Sequence, residues 1–263
     1  MIRAVFFDID GTLIDNTHRL PASVPPALEA ARRNGHLLVV NTGRTLCNMD
    51  HRLDGLPIDG FIMGCGTRVI WHGQTLTSME YNLSDSLHLL SVFRSMAVPT
   101  VYECDTAMYF DPLSPETPFL KGLIDWSRNH GIYREIRETD PEFRAVKMLC
   151  HAEKPAIDEL ISRTVAIGLP YAAIDRENNI WEIIPDGITK ATGMDYLCGY
   201  LGIPNADCFA FGDSRNDLAM LTHVPNSIAM GNSPQDVKDL CTYVTACPEE
   251  DGIEKALRHF HLI

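Results

Sequence analysis

Residues Ala4-Val5-Phe6-Phe7 form a short, unbroken apolar run that stops abruptly at Asp8. A strand with one wet face alternates apolar and polar residues, so a continuous run describes a strand covered on both faces, as in a parallel sheet flanked by helices. The pattern recurs. Leu37-Leu38-Val39-Val40 ends in Asn41-Thr42-Gly43-Arg44, and Cys208 to Phe211 ends in Gly212-Asp213. Between the first two runs, Pro25 and Pro26 stand where a helix start tolerates proline, Ala27 to Asn34 continues as helix, and Gly35 supplies a C-cap. Strand, helix and strand at this spacing make a βαβ unit.

Phe61-Ile62-Met63 and Val69-Ile70-Trp71 give two more strands, the second closed by a His72-Gly73 turn. From Tyr81 to Trp181 the texture changes to mixed helical and strand patterns with more turn residues, including Pro112, Pro115 and Pro118. After Pro185-Asp186-Gly187 the first texture resumes: a helix from Thr189 to Leu201, the Cys208 strand, a helix over Asn216 to Leu221 and a strand over Ser227 to Met230. Ser233-Pro234 reads as an N-cap and first helical residue, and Tyr243-Val244-Thr245 as an edge strand. The expected architecture is an α/β, Rossmann-like parallel-sheet core, residues 1–81 and 185–263, split by an inserted α/β domain, residues 82–184.

The chain has 263 residues with 22 Lys plus Arg and 35 Asp plus Glu, a formal charge of −13. A field that acidic repels nucleic acid and anionic lipid, so neither is an expected partner. An anionic ligand therefore needs local positive charge, a metal or backbone dipoles where it binds. No apolar run approaches the ~20 residues that span a bilayer, and the N-terminal residues lack a signal-peptide apolar core. Eight cysteines are scattered without a CxxC pair, which reads as free thiols in a reducing compartment. The expected location is the cytoplasm. The ten histidines show no metal-ligand spacing, and Gly64-Cys65-Gly66 lacks the third glycine of a dinucleotide fingerprint. Asn82-Leu83-Ser84 is a glycosylation triplet without a secretory route.

The polar strand ends carry the chemistry. In an extended stretch Asp8 and Asp10 point to opposite sides, but Gly11 permits a turn that brings both carboxylates to one cavity. Two converging acids call for neutralisation, most simply by a divalent cation. Thr42 and the Gly43 N–H follow the second strand as a small anion cradle, for which a simple turn is the competing reading. Lys190 lies in the first turn of a helix, where the macrodipole disfavours a cation, so it faces an anion or snorkels to the surface. Gly212-Asp213-Ser214-Arg215-Asn216-Asp217 opens a helix with three polar side chains suited to a hard metal and a phosphate. Open α/β sheets bind ligands at the carboxyl ends of their strands, and these segments all fall at strand ends or helix starts.

In order, Phe6 to Leu13, Asn41-Thr42-Gly43-Arg44, Lys190 and Gly212 to Asp217 resemble the four motifs of the haloacid dehalogenase superfamily. Glu182 to Lys190, Ala229-Met230-Gly231-Asn232 and Asp251-Gly252-Ile253 are similar to its Cof-type subfamily, although Gly64-Cys65-Gly66 stands where relatives commonly carry Asn-Gly-Ala. The resemblance implies a phosphatase with Asp8 as nucleophile, forming an aspartyl-phosphate, and Asp10 as general acid and base. It implies Mg²⁺ held by Asp8, the Asp10 carbonyl and Asp213. Thr42, Gly43, Lys190 and Asn216 would hold the phosphoryl oxygens, and Asp217 would orient metal waters or Lys190. Residues 82–184 become a mobile cap, with Glu103, Asp105, Arg144 and Lys147 as candidate specificity residues. Trp126 and Trp181 are expected in the core. The expected substrate is a small phosphorylated metabolite, sugar phosphates first, for a monomer or homodimer. A phosphosugar mutase calls for a basic cap, whereas this insert carries many acids. A ligand-binding protein on a dead scaffold would lack Asp8, Asp10 or Asp213, and all are present.

Overall fold

The structure is a computed structural model and describes residues 2–263. In chain order the elements are β1 (Ala4–Phe7), α1 (Val24–Arg33), β2 (Leu37–Asn41), β3 (Gly60–Met63), β4 (Arg68–Trp71) and β5 (Gln74–Ser78). The middle of the chain supplies α2 (Leu83–Ser95), β6 (Thr100–Glu103), β7 (Met108–Phe110), α3 (Pro118–Asn129), β8 (Tyr133–Glu135), β9 (Lys147–His151), α4 (Lys154–Ala166), β10 (Tyr171–Asp175) and β11 (Ile180–Pro185). The last third supplies α5 (Lys190–Leu201), β12 (Cys208–Gly212), α6 (Leu218–Leu221), β13 (Asn226–Ala229), α7 (Gln235–Lys238), β14 (Tyr243–Val244) and α8 (Gly252–His259). No helix among the described residues is long and apolar enough to cross a membrane.

The chain divides into two compact units. The first runs up to Gly43 and continues through Asp50–Ser78 and Thr189–Ile263; the second comprises Arg44–Met49 and Met79–Ile188. The second unit thus encloses residues 82–184 and adds a hexapeptide distant in sequence.

The first unit is built on an eight-stranded sheet in the order β14-β13-β12-β1-β2-β3-β4-β5. It is parallel from β14 to β3, and β4 and β5 append antiparallel strands. Every residue of β1 and β12 is buried, which is why both are continuous apolar runs. Helix α1 turns Val24, Ala27, Leu28 and Ala31 inward at the i, i+3, i+4, i+7 spacing of an amphipathic helix. On one side of the sheet Phe6, Val39, Ile62 and Ala210 join Met194 and Leu197 of α5 and Met220 of α6 in one core.

The second unit carries a six-stranded sheet, β10-β11-β9-β6-β7-β8, antiparallel except for the β7–β8 pair. Leu89, Leu90 and Phe93 of α2 and Ile157 and Leu160 of α4 pack with Tyr102, Tyr109, Met148 and Trp181. A separate cluster joins Leu120 of α3 to Val101, Met108 and Phe110.

Several local expectations shift. Ser233 does not cap α7: Pro234 holds that position, and the buried Ser233 hydroxyl finds no protein partner. The cap of α1 is Asn34, with Gly35 one residue beyond at φ +87°. The segment opening at Asn216 begins as a 3₁₀ turn, Arg215–Asp217, before α6. Trp181 is buried as expected, but Trp126 is 37% exposed and stacks on His130 with centroids 4.2 Å apart. The indole has a close partner on its own helix and so does not need the core to cover its face.

Candidate active site

Strand register decides which side chains meet. Phe7 lies beside Val40 of β2 and Phe211 of β12, so Asp8, Asn41-Thr42 and Gly212-Asp213 emerge together at the carboxyl edge of the sheet. Asp8 still belongs to the ladder through its N–H, which donates to the Phe211 carbonyl at 3.0 Å. The chain then turns back at once. Gly11 sits at φ +81° and its N–H donates to the Ile14 carbonyl at 2.7 Å. A Cβ at Gly11 would come within 2.2 Å of Asp213 Oδ2, so the close approach of these two loops requires glycine as much as the dihedral does.

Lys190 is the first residue of α5, capped by Thr189, and its side chain is fully buried. Its ammonium donates to Asp8 Oδ1 and to Asp217 Oδ1, each at 2.6 Å. The Asn41 side chain donates to the Lys190 carbonyl at 3.1 Å and pins the helix start to the end of β2. A lysine at a helix N-terminus works against the macrodipole, and two buried carboxylates are the compensation. Asp217 is fully buried; its other oxygen, Oδ2, accepts from the Asp213 and Ser214 backbone N–H groups at 3.0 Å each. The close packing of Gly212 serves the same contact, because a Cβ there would lie 2.6 Å from that of Asp217.

Carboxylate oxygens of Asp8, Asp213 and Asp217 lie within 4.8 Å of one another and could hold a metal ion. Asp217 already spends both oxygens on Lys190 and two backbone N–H groups, which leaves Asp8 and Asp213 as the side chains suited to a cation. Hard carboxylate oxygens in that number fit a divalent ion such as Mg²⁺. The electrostatics agree. Burial, then the Asp217 carboxylate, push the Asp8 carboxyl up to about 7 despite Lys190, with Asp10 adding to the rise. Burial alone would lower the Lys190 ammonium, but Asp217 and Asp8 together hold it above its ordinary value. One ammonium among four nearby acids leaves a surplus of negative charge, the condition a divalent cation relieves.

The other expected residues fall at the same edge. Thr42 is buried, its N–H donating to the Ile62 carbonyl at 2.8 Å and its carbonyl accepting from Cys65 N–H at 3.0 Å, so its backbone is fixed between two strand ends. Gly43 follows it. Asn216 is buried and its Oδ1 accepts from the Ser214 hydroxyl at 2.6 Å, which presents the amide NH₂ as donor. Asp10 is exposed, beyond the turn that Asp8 opens. Sequence reasoning placed Asn232 in a motif but missed its role: its amide bridges the Gly11 carbonyl (3.0 Å) and Asp213 Oδ2 (3.2 Å). It missed the role of Asn41 as well. The available signal was the same for both: an asparagine just past a buried apolar run.

The second unit holds its own charged cluster. Lys147, Glu103 and Glu182 are all buried, with Lys147 Nζ 2.9 Å from Glu182 and 3.4 Å from Glu103. Thr45 and Asn48 donate to Glu103 Oε2 at 3.1 and 3.2 Å, which is what draws residues 44–49 into this unit. Burial, opposed by Lys147, raises the Glu103 carboxyl. Of the other two candidates, Arg144 is half-exposed and 3.4 Å from Glu80, and Asp105 is partly buried.

A family model described as haloacid dehalogenase-like hydrolase matches residues 5–257. A Haemophilus influenzae relative, named provisionally as a phosphatase, is 39% identical over 257 residues, covering 96% of each chain. An Enterobacter HMP-PP phosphatase is 30% identical over 257 residues, covering 91% of this chain and 88% of the relative. Among solved structures, a sugar phosphatase of HAD subclass IIB superposes with a TM-score of 0.83 at 26% identity, covering 99% of this chain and all of the other.

Proposed function

The chain belongs to the haloacid dehalogenase-like hydrolases and is a phosphatase of that family; from that premise we propose that it hydrolyses small phosphorylated metabolites, sugar phosphates first, through a phosphoryl-Asp8 intermediate. The observation that carries the proposal is Lys190, buried and shared between Asp8 and Asp217, beside the Asp213 carboxylate. A buried cation that fixes one oxygen of Asp8 leaves the other to attack phosphorus, and opposes the rise that burial and Asp217 impose on that carboxyl. Asp10 protonates the departing alkoxide and then takes the proton of the hydrolytic water; its exposed position past the turn suits a group that exchanges protons with solvent. Thr42, the Gly43 N–H, the Asn216 amide and Lys190 hold the phosphoryl oxygens as charge redistributes. Asp217 positions Lys190 and ties it to the Asp213-Ser214 backbone. Asp8, Asp213 and the Asp10 carbonyl would hold Mg²⁺, which supplies charge neutralisation between an anionic nucleophile and an anionic substrate.

Hydrolysis is favoured over mutase chemistry by the insert's cations. Seven of the ten Lys and Arg residues of the insert, Lys147, Arg176, Arg94, Arg134, Arg144, Lys154 and Arg163, are ion-paired with a carboxylate of the same unit, which is a poor provision for retaining a bisphosphate. The buried Glu103–Lys147–Glu182 cluster, with Thr45 and Asn48, offers the donors and acceptors that hydroxyl groups of a sugar require. The test is p-nitrophenyl phosphate hydrolysis with Mg²⁺ and with EDTA, native protein beside Asp8→Asn, followed by a phosphohexose panel with and without a sugar bisphosphate. Release that depends on metal and is lost in the variant is expected. Retained turnover in Asp8→Asn overturns the nucleophile, and stimulation by bisphosphate turns the reading towards a mutase.

A further inference from the structure

Away from the carboxyl edge of the sheet, the first unit brings two cysteines into contact. Cys198 lies in the last turn of α5 and Cys208 is the first residue of β12; Gly202, at φ +67°, turns the chain between them. Their sulfurs are 3.4 Å apart, and both residues are buried, Cys208 to 2% exposure and Cys198 to 9%. Cys208 Sγ also lies 3.6 Å from the Pro204 carbonyl, so the pair is held from a second side.

The pair is not sealed. A cavity of about 200 Å³ is lined by both cysteines together with Asp195, Asn205 and His223. That is several times the ~30 Å³ share of a water molecule, so hydrogen peroxide fits. Asp195 and His223 pair at 2.6 Å and line the same cavity with polar groups. Elsewhere burial alone pushes the Cys150 thiol up to about 12. Here the two sulfurs are in contact, and either thiol can donate to the other, so the proton of one stabilises the thiolate of its neighbour. Whichever sulfur ionises attacks first, and its partner 3.4 Å away resolves.

We propose that Cys198 and Cys208 are an oxidisable dithiol that hydrogen peroxide converts into an intramolecular disulfide linking α5 to β12. One of the two, as thiolate, attacks a peroxide oxygen, the O–O bond breaks, and the departing hydroxide takes a proton to leave as water, giving a sulfenic acid. The partner sulfur then attacks the oxidised sulfur, the S–O bond breaks, and the hydroxyl leaves as water with the partner's proton. Two thiols and one peroxide give one disulfide and two waters. Closing the sulfurs from 3.4 Å to a bond of about 2.05 Å shortens their separation by about 1.4 Å.

The experiment uses the full chain, reduced and then treated with stoichiometric hydrogen peroxide near neutral pH. Remaining thiols are alkylated under denaturing conditions, and the peptides are mapped by mass spectrometry. The expected result is two fewer alkylated thiols, a linked peptide joining Cys198 to Cys208, and full reversal by dithiothreitol. In Cys198→Ala and in Cys208→Ala the disulfide is absent, and dimedone labels the cysteine of the pair that remains. Phosphatase activity of the reduced variants, unchanged within twofold, certifies their fold. Eight alkylated thiols after peroxide overturn the proposal, as does a linkage between other cysteines. The native-protein map decides this even if a variant folds poorly.

Discussion

Replacing Asp217 by Asn tests the electrostatic frame of the site without removing any atom that touches substrate. Asp217 is fully buried and surrounded by donors: the Lys190 ammonium on Oδ1 at 2.6 Å, and the Asp213 and Ser214 N–H groups on Oδ2 at 3.0 Å. An asparagine has one oxygen and one NH₂, so either the ammonium or the two backbone N–H groups must face another donor. A hydrogen bond to a charged group contributes about 1.5–3 kcal/mol, and breaking one partner of a buried ion pair costs about 3–5 kcal/mol. Because Asp8 remains 2.6 Å from Lys190, the lower part of that range applies, about 3 kcal/mol. For a chain of this size that lowers the melting temperature by about 6–12 °C. Urea and thermal unfolding in metal-free buffer, followed by circular dichroism and by tryptophan fluorescence, measure it; Trp71 reports on the first unit and Trp126 and Trp181 on the second. A variant within about 1 kcal/mol of the native protein would refute the claim that Asp217 balances Lys190.

Gly11→Ala is expected to lose at least a hundredfold in kcat/KM, because its Cβ would meet Asp213 Oδ2 at 2.2 Å and its φ is +81°; steady-state kinetics on p-nitrophenyl phosphate checks this, and near-native turnover contradicts it. The Asp8 carboxyl is pushed up to about 7 from its ordinary 3.8, so in metal-free protein it binds its proton more tightly folded than unfolded. Its contribution to stability is therefore complete below about pH 4 and is lost as pH rises through about 7. Mg²⁺ competes with that proton, so the rise in melting temperature on adding Mg²⁺ should grow between about pH 5 and about pH 8; a rise that does not change with pH counts against Asp8 as a ligand. Lys147→Met leaves Glu103 and Glu182 buried without their shared cation, and is expected to destabilise the second unit by about 3–5 kcal/mol, read from the Trp181 fluorescence transition.

The parts of the fold legible in the sequence are those where burial on both faces leaves no choice of residue. Ala4–Phe7, Leu37–Asn41 and Cys208–Gly212 are continuous apolar runs because each is an interior strand of the parallel sheet. Strand β5 carried no such mark: Gln74–Ser78 is a polar edge strand, two-fifths of it threonine, and only its pairing with β4 makes it a strand. The site was legible where a residue contradicted its local setting. Acids at the end of a buried strand and a lysine at a helix N-terminus are costly alone, and the structure shows them compensating one another. Asn232 and Asn41 stood in the sequence only as members of motifs, because each acquires its role when a segment distant in sequence arrives. The tie between Thr45, Asn48 and Glu103 was hidden for the same reason, being a contact across more than fifty residues.

During turnover Asp8 is expected to carry the phosphoryl group. The most direct measurement is to mix enzyme, Mg²⁺ and p-nitrophenyl phosphate, quench with acid during turnover, reduce with borohydride and locate the modified residue by mass spectrometry. An aspartyl-phosphate is reduced to homoserine, and homoserine is expected at position 8, absent without substrate and absent in Asp8→Asn. Modification at any other residue, or continuing turnover with Asp8 unmodified in every quench, would contradict it.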